Sequence, residues 1–383
     1  MRGHIVKRGR NSWSIVLDLP RDGKRRQQWV SVKGTKKDAE RRLSELLHQI
    51  DTGSFIKPCK VTVADFLRQW LQDYATMSVR PTTLQRYKGI VEGHIIPAIG
   101  NIPLVRLQPS AVQSCYTKSL NGARLDGKPG HLTAKSVLEH HRLLKEALSH
   151  AVKWGLVSRN VADAVSPPRP VHREMSTLDS EGVHALLEAA KETDYYAIFH
   201  LSVYTGLRRS ELLGLRWKDV SLELASLSVV QTMHRLPGGQ TVFLEPKTAK
   251  SRRLVALSPI AVLALREYKQ KQQALRTLIG GIFTDNDLVF SHPDGTPIHP
   301  DIISQAFSRI SRKVGLSGVR FHDLRHTHAT LMLQQGIHPK IVQERLGHAT
   351  IAVTLDTYSH VLPGLQEAAA LRFEEGLQRA KVK

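Results

Sequence analysis

The stretch Ser166-Pro167-Pro168-Arg169-Pro170 constrains this chain more than any other, because it fits neither a helix nor a sheet interior. Proline fixes φ near −65° and offers no backbone N–H, and the residue before each proline is pushed to extended conformations. The stretch therefore reads as a semi-rigid linker. A chain of 383 residues is also too long for one ordinary core, which leaves two or three folded pieces on its two sides.

Before the linker, periodicity separates two pieces. Residues 12–19 and 28–32 alternate apolar and polar, with Trp13, Ile15 and Leu17 on one face, Trp29 near the second strand's start, and a turn at Pro20-Arg21-Asp22-Gly23-Lys24 between them. Thr35 is placed to cap a helix reaching about Ile50, with Ala39, Leu43, Leu46, Leu47 and Ile50 as its stripe. The expectation for residues 1–55 is a small sheet of about three strands backed by one helix. Residues 61–165 read as helical throughout. Thr62, Pro81, Pro109 and Thr133 stand at four helix starts, and the four helices are expected to form a bundle.

After the linker the pattern is mainly helical, interrupted by strand-like runs at 227–233, 240–244 and 252–257. Residues 176–383 are thus expected to be a mostly helical domain with a three-stranded sheet, and the whole chain an α+β protein of three domains.

Charge selects the partner. The formal net charge is +21, and residues 1–60 hold fifteen Lys or Arg against six Asp or Glu. An excess this large and this general points to a polyanion, and nucleic acid fits it better than a membrane. No apolar run approaches the roughly 20 residues a membrane helix needs. The N-terminus has no apolar signal core, and only Cys59 and Cys115 are present, so a reducing bacterial cytoplasm is expected. Arg8, Arg10, Lys24, Arg25 and Arg26 are placed to meet phosphates if the N-terminal ribbon enters a major groove.

Four motifs in the last segment carry chemistry: Thr205-Gly206-Leu207-Arg208 with Glu211, Pro246-Lys247-Thr248, His322-Asp323-Leu324-Arg325-His326-Thr327, and Leu346-Gly347-His348 followed by Tyr358. Attack on a phosphodiester needs fixed cations around oxygens that gain charge, a positioned nucleophile and an acid for the leaving oxygen. Arg208, Lys247, His322, Arg325, His348 and Tyr358 supply those types. Taken singly each has a plainer explanation: Lys247 beside Lys250, Arg252 and Arg253 is an ordinary basic turn, and Tyr358 an ordinary packed tyrosine. His322 and His326 have the i, i+4 spacing of a metal pair but lack the acidic neighbour and third ligand of a zinc hydrolase, so no metal is expected.

Together and in this order, the motifs resemble the signature of the tyrosine recombinases, or phage-type integrases. The resemblance implies that Tyr358 attacks the scissile phosphate and forms a 3′-phosphotyrosyl bond, with Arg208 and Arg325 on the non-bridging oxygens. It further implies that Lys247 protonates the 5′-oxygen, His322 assists the phenol and His348 donates to the phosphate. Glu211 is expected to support the site, and Asp323 and His326 to be structural. Neither ATP nor any other cofactor is implied, since the covalent intermediate keeps the bond energy.

By the same resemblance, residues 1–55 bind arm-type sites and residues 61–165 the core site of double-stranded DNA. Four copies assemble in the synaptic complex, with an excisionase or a host DNA-bending protein as further partners. The stretch 363–383, with Leu365, Ala369, Phe373 and Leu377 in a stripe, is expected to dock as a helix on a neighbouring copy. A type IB topoisomerase, a DNA-binding regulator without catalysis and a metal-dependent nuclease are the alternatives left open.

Overall fold

A computed structural model describes residues 3–19, 26–51, 60–171, 175–236, 238–246 and 251–358, with 370, 371, 373, 374, 377 and 378. The chain forms two compact units, residues 1–172 and 173–383. Lys24, Arg25 and Lys247 lie outside the described residues, as does the side chain of Arg26.

The first unit begins with an antiparallel sheet of β1 (Gly3–Gly9), β2 (Ser12–Leu19) and β3 (Arg26–Lys33), in that order. Ile5, Ile15 and Val30 share one row of the register. The helix Lys36–Asp51 covers this face through Leu46, which meets Ile15 and Leu17 in a small core, and its Ala39 is fully buried. Thr35 starts the helix as expected: its Oγ1 accepts from the Asp38 amide at 3.3 Å, while the Asp38 carboxylate accepts from the Thr35 amide at 2.8 Å. On the opposite face the Arg8 guanidinium lies 5.0 Å from the centre of the Trp29 ring, and that tryptophan is half exposed.

The rest of this unit is helical. Thr62 and Asp65 form the same reciprocal cap at the start of Val63–Trp70, which continues through one wide π turn, Leu71–Ala75. Helices then start at Pro81, Pro109 and Ala134, the last capped by Thr133. Trp70 is the packing centre, stacked on Tyr74 and Tyr87 with its indole N–H donated to His150 Nδ1 at 3.0 Å.

The second unit packs the helices Ser180–Ala190, Tyr196–Thr205, Pro259–Ile279, Pro300–Lys313 and Asp323–Gln334 around Phe199, Phe307 and Phe321. Asp179 caps the first of these, accepting from the Gly182 amide.

The strands divide differently from the sequence pattern. The run 227–233 breaks at Val230 and Gln231 into β5 (Ser226–Val229) and β6 (Thr232–Arg235). β5 joins β4 (Val220–Ser221) and β8 (Arg253–Ala256) in a three-stranded sheet, while β6 pairs with β7 (Thr241–Leu244) in its own hairpin. A tertiary contact accompanies the break. Gln231 donates to the Gly214 carbonyl at 2.9 Å, and a Cβ on Gly214 would come within 2.9 Å of the Met233 amide nitrogen. In the tail, residues 370, 371, 373, 374, 377 and 378 are helical with Leu371, Phe373 and Leu377 exposed. The remainder of the helix expected over 363–383 lies outside the described residues.

Candidate active site

Two glycines make the site possible. Gly206 ends the helix Tyr196–Thr205 and Gly347 ends Pro339–Leu346, each in the left-handed conformation that glycine adopts without strain. These two chain ends bring the Gly206 and Leu346 carbonyls to one place, and each accepts from the Arg325 guanidinium at 2.7 Å. Orphan carbonyls at helix C-termini favour a cation, so Arg325 is buried at 3% exposure without a carboxylate of its own. Burial and the charge of Arg208 lower its pKa to about 9, which leaves it a cation at neutral pH.

Glu211 is the carboxylate at the centre of the cluster. One of its oxygens accepts from Arg208 Nη1 at 2.7 Å and Arg253 Nη1 at 3.2 Å. The other accepts from the Arg208 amide and from Arg253 Nη2, both at 2.9 Å. Burial alone would raise its pKa, but hydrogen bonding and charge from Arg253, then the charges of Arg208 and Arg325, hold it at about 2. Two guanidinium groups thus bond one carboxylate while the charge of a third, Arg325, acts on it from nearby, and the positive surplus suits an anion. Arg208 is the most open of them, its side chain 35% exposed against 6% for Arg253.

A second tier holds this tier in place. Arg345 donates to the Ala256 and Tyr204 carbonyls at 2.9 and 2.8 Å and to His328 Nε2 at 3.0 Å. His328 must then carry its proton on Nδ1, donated to the Val203 carbonyl at 2.8 Å. Arg253 Nε reaches the Arg345 carbonyl at 2.6 Å, so the network closes on itself.

The titratable rings lie near these arginines. His322 precedes the helix Asp323–Gln334 and its ring reaches the surface. Surrounding protein lowers its pKa, Arg325 adds to that, and Asp323 opposes it. His348 bonds Thr354 Oγ1 through Nδ1 at 2.9 Å, and burial with the charges of Arg325 and Arg208 brings its pKa to about 3. Asp323 lies fully buried and accepts from the Arg320 amide at 2.8 Å, a structural task.

Tyr358 ends the helix Ile351–Tyr358 and is 1% exposed. Burial raises its pKa to about 12 against the opposing charges of Arg325 and Arg208, so the phenol keeps its proton. The hydroxyl is hydrogen-bonded to Nδ1 of His326 at 2.8 Å.

The structure thus gathers Arg208, Glu211, His322, Arg325, His348 and Tyr358 around one cluster. It adds Arg253, Arg345 and His328, which the motifs did not single out, and it brings His326, expected to be structural, onto the Tyr358 hydroxyl. In the sequence Arg253 reads as one of a basic group with Lys250 and Arg252, and its buried side chain, with both Nη atoms on Glu211, distinguishes it. Among the described residues no group of three His, Cys, Asp or Glu gathers to hold a metal ion, and no helix is long and apolar enough to cross a membrane.

The chain is similar to known proteins along most of its length. Residues 176–364 match the phage integrase family and residues 62–120 match the phage integrase N-terminal SAM-like domain. A tyrosine recombinase XerC-like protein of Caldanaerobacter subterraneus subsp. tengcongensis is 28% identical over 94% of this chain and 95% of its own. Among solved structures, a Tn1549 transposon integrase fragment in complex with circular intermediate DNA superimposes with a TM-score of 0.68 at 20% identity, covering 82% of this chain and 99% of that one. A lambda integrase from a tetramer bound to a Holliday junction gives 0.54 at 20% identity, over 90% and 95%. The chain belongs to the phage integrase family of tyrosine recombinases and is a tyrosine-type site-specific DNA recombinase.

Proposed function

We propose that this recombinase integrates and excises a mobile element such as a prophage or conjugative element, with Tyr358 as nucleophile and a 3′-phosphotyrosyl intermediate. The observation that carries the reading is the cluster of Arg208, Arg253 and Arg325 about the Glu211 carboxylate, with the Tyr358 phenol near Arg208 and Arg325. A scissile phosphate fits the positive surplus. Arg208 and Arg325 take its non-bridging oxygens, charge that grows as the fifth bond to phosphorus forms. His322 and His348, kept neutral by their surroundings, add hydrogen bonds to that phosphate. His322 is the family's candidate to assist the phenol, and Lys247 its candidate to protonate the departing 5′-oxygen. A 5′-hydroxyl of the partner duplex then reverses the step and exchanges strands, with no cofactor.

Residues 1–55 are proposed as the arm-site reader, 61–165 as the core-site reader and 176–383 as the catalytic domain. Arg8 stacked on half-exposed Trp29, with Arg10 in the following turn, supports DNA contact by the open face of the N-terminal sheet. The synaptic assembly is a homotetramer in the bacterial cytoplasm, joined by an excisionase or host bending protein.

The test is covalent capture on a nicked suicide duplex of the attachment core. Wild-type protein should form a protein–DNA adduct in excess EDTA, and Tyr358→Phe should bind equally but form none. Adducts from the Phe variant would overturn the nucleophile assignment, and a requirement for added metal would overturn the mechanism.

A further inference from the structure

We propose that His326 is a positioning residue for the nucleophile, accepting the Tyr358 hydroxyl's hydrogen bond and so fixing the direction in which the phenol oxygen faces the phosphate. The proposal rests on the reading of Tyr358 as nucleophile and goes beyond it, since the family resemblance implies the assisting role for His322 and His326 is expected to be structural.

Three observations carry it. The hydroxyl of Tyr358 meets Nδ1 of His326 at 2.8 Å, the length of a good hydrogen bond. The His326 ring is itself fixed from the other side, edge to face against His322 with ring centres 5.1 Å apart and planes at 89°. And His326 follows Arg325 directly on the helix Asp323–Gln334. One turn of one helix therefore holds both the phosphate clamp and the anchor of the nucleophile. Their relative geometry does not depend on any loop, and geometry of this kind is where a displacement of about 1 Å costs on the order of 100-fold in rate.

The acid–base balance settles which role the contact can play. Burial, then the charge of His322 and of Arg325, bring the His326 pKa to about 4, with Asp323 opposing, while Tyr358 stands near 12. With values so far apart the proton stays on the phenol. The imidazole is then the neutral acceptor, with its own proton on Nε2. His326 orients; it does not store the proton.

The experiment has two arms. Without DNA, the Cζ resonance of Tyr358 in 13C-tyrosine-labelled protein, identified by its loss in Tyr358→Phe, should shift in His326→Ala and return toward wild type in His326→Asn, whose Oδ1 can replace Nδ1 as acceptor. On the nicked core duplex, His326→Ala should form adduct about 100-fold more slowly at unchanged DNA affinity, and His326→Asn should recover most of that rate. An Ala variant as fast as wild type, or faster, overturns the proposal. So does an Asn variant that melts like wild type yet is as slow as Ala. Adducts that persist in Tyr358→Phe would instead refute the nucleophile reading, and the resonance of the phenol would still report whether His326 holds it.

Discussion

Glu211 and Arg253 are 42 residues apart in sequence and meet through two hydrogen bonds, of 3.2 and 2.9 Å, with both side chains almost fully buried. The pair ties the short helix Arg209–Leu213 to the edge strand β8. Because Glu211 also holds Arg208 by backbone and side chain, one carboxylate fixes a solvent-facing cation and a buried one together.

Removing that carboxylate therefore has two consequences. In Glu211→Gln, Arg253 is left as a buried charge without its counterion, a change that costs about 3 kcal/mol. Arg208 loses its charged anchor at the same time. The variant is expected to melt several degrees lower and to form adduct at least tenfold more slowly, measured by thermal denaturation and single-turnover cleavage. Wild-type melting with wild-type cleavage would show that Glu211 supports nothing.

Gly206 is the hinge of the motif that carries Arg208. Its φ is +65°, and a Cβ there would sit 2.6 Å from Leu346 Cδ2 and 2.7 Å from His328 Cδ2. Gly206→Ala must pay for the left-handed backbone, about 1 kcal/mol, and push apart two groups that the arginine network holds. The expected result is a loss of about 2–3 kcal/mol in denaturant unfolding and weakened cleavage, since the Gly206 carbonyl orients Arg325. The same substitution at Gly155 meets no atom within 4 Å and is the control.

Trp29 reports on the N-terminal sheet. Its ring is 48% exposed beneath the Arg8 guanidinium, on the face opposite the helix. If that face lies against DNA, arm-site duplex should change the fluorescence of the wild-type protein, and Trp29→Phe should lose most of the change. An unchanged signal in wild type, at concentrations where a mobility shift shows arm binding, would move the contact elsewhere. Arg8→Ala should weaken binding and reduce its dependence on salt by about one counterion.

The caps at Thr35, Thr62 and Thr133 and the helix starts at Pro81 and Pro109 were legible because each is a local event, decided within one turn. The division of 227–233 between two sheets was not, since it follows from Gln231 reaching Gly214, seventeen residues away. The site divides the same way. Arg208, Arg325 and Tyr358 sit in compact motifs. Arg253 and Arg345 act through carbonyls and a carboxylate that only tertiary folding brings near, and nothing in Ser251-Arg252-Arg253 distinguishes the exposed arginine from the buried one.

The buried histidines make the catalytic unit sensitive to mild acid. His328 is 8% exposed, and burial with the charge of Arg345 lowers its pKa from 6.5 to about 3. The unfolded chain takes up a proton near 6.5 where the folded one does not, so stability is full above that pH and declines as the pH falls toward 3. Between pH 7.5 and 5.5 this single group removes about 1.4 kcal/mol. Glu211 adds to acid lability only lower, because its carboxyl, depressed from 4.5 to about 2, keeps its contribution until the pH drops below the unfolded value. Denaturant midpoints at the two pH values should therefore fall in wild type, and fall less, by about that amount in free energy, in His328→Gln. That variant starts less stable at pH 7.5, because glutamine cannot bridge Val203 and Arg345 with the imidazole's geometry. An equal pH dependence in the two proteins would mean that His328 is protonated in the fold, and that Arg345 is held by the Ala256 and Tyr204 carbonyls alone.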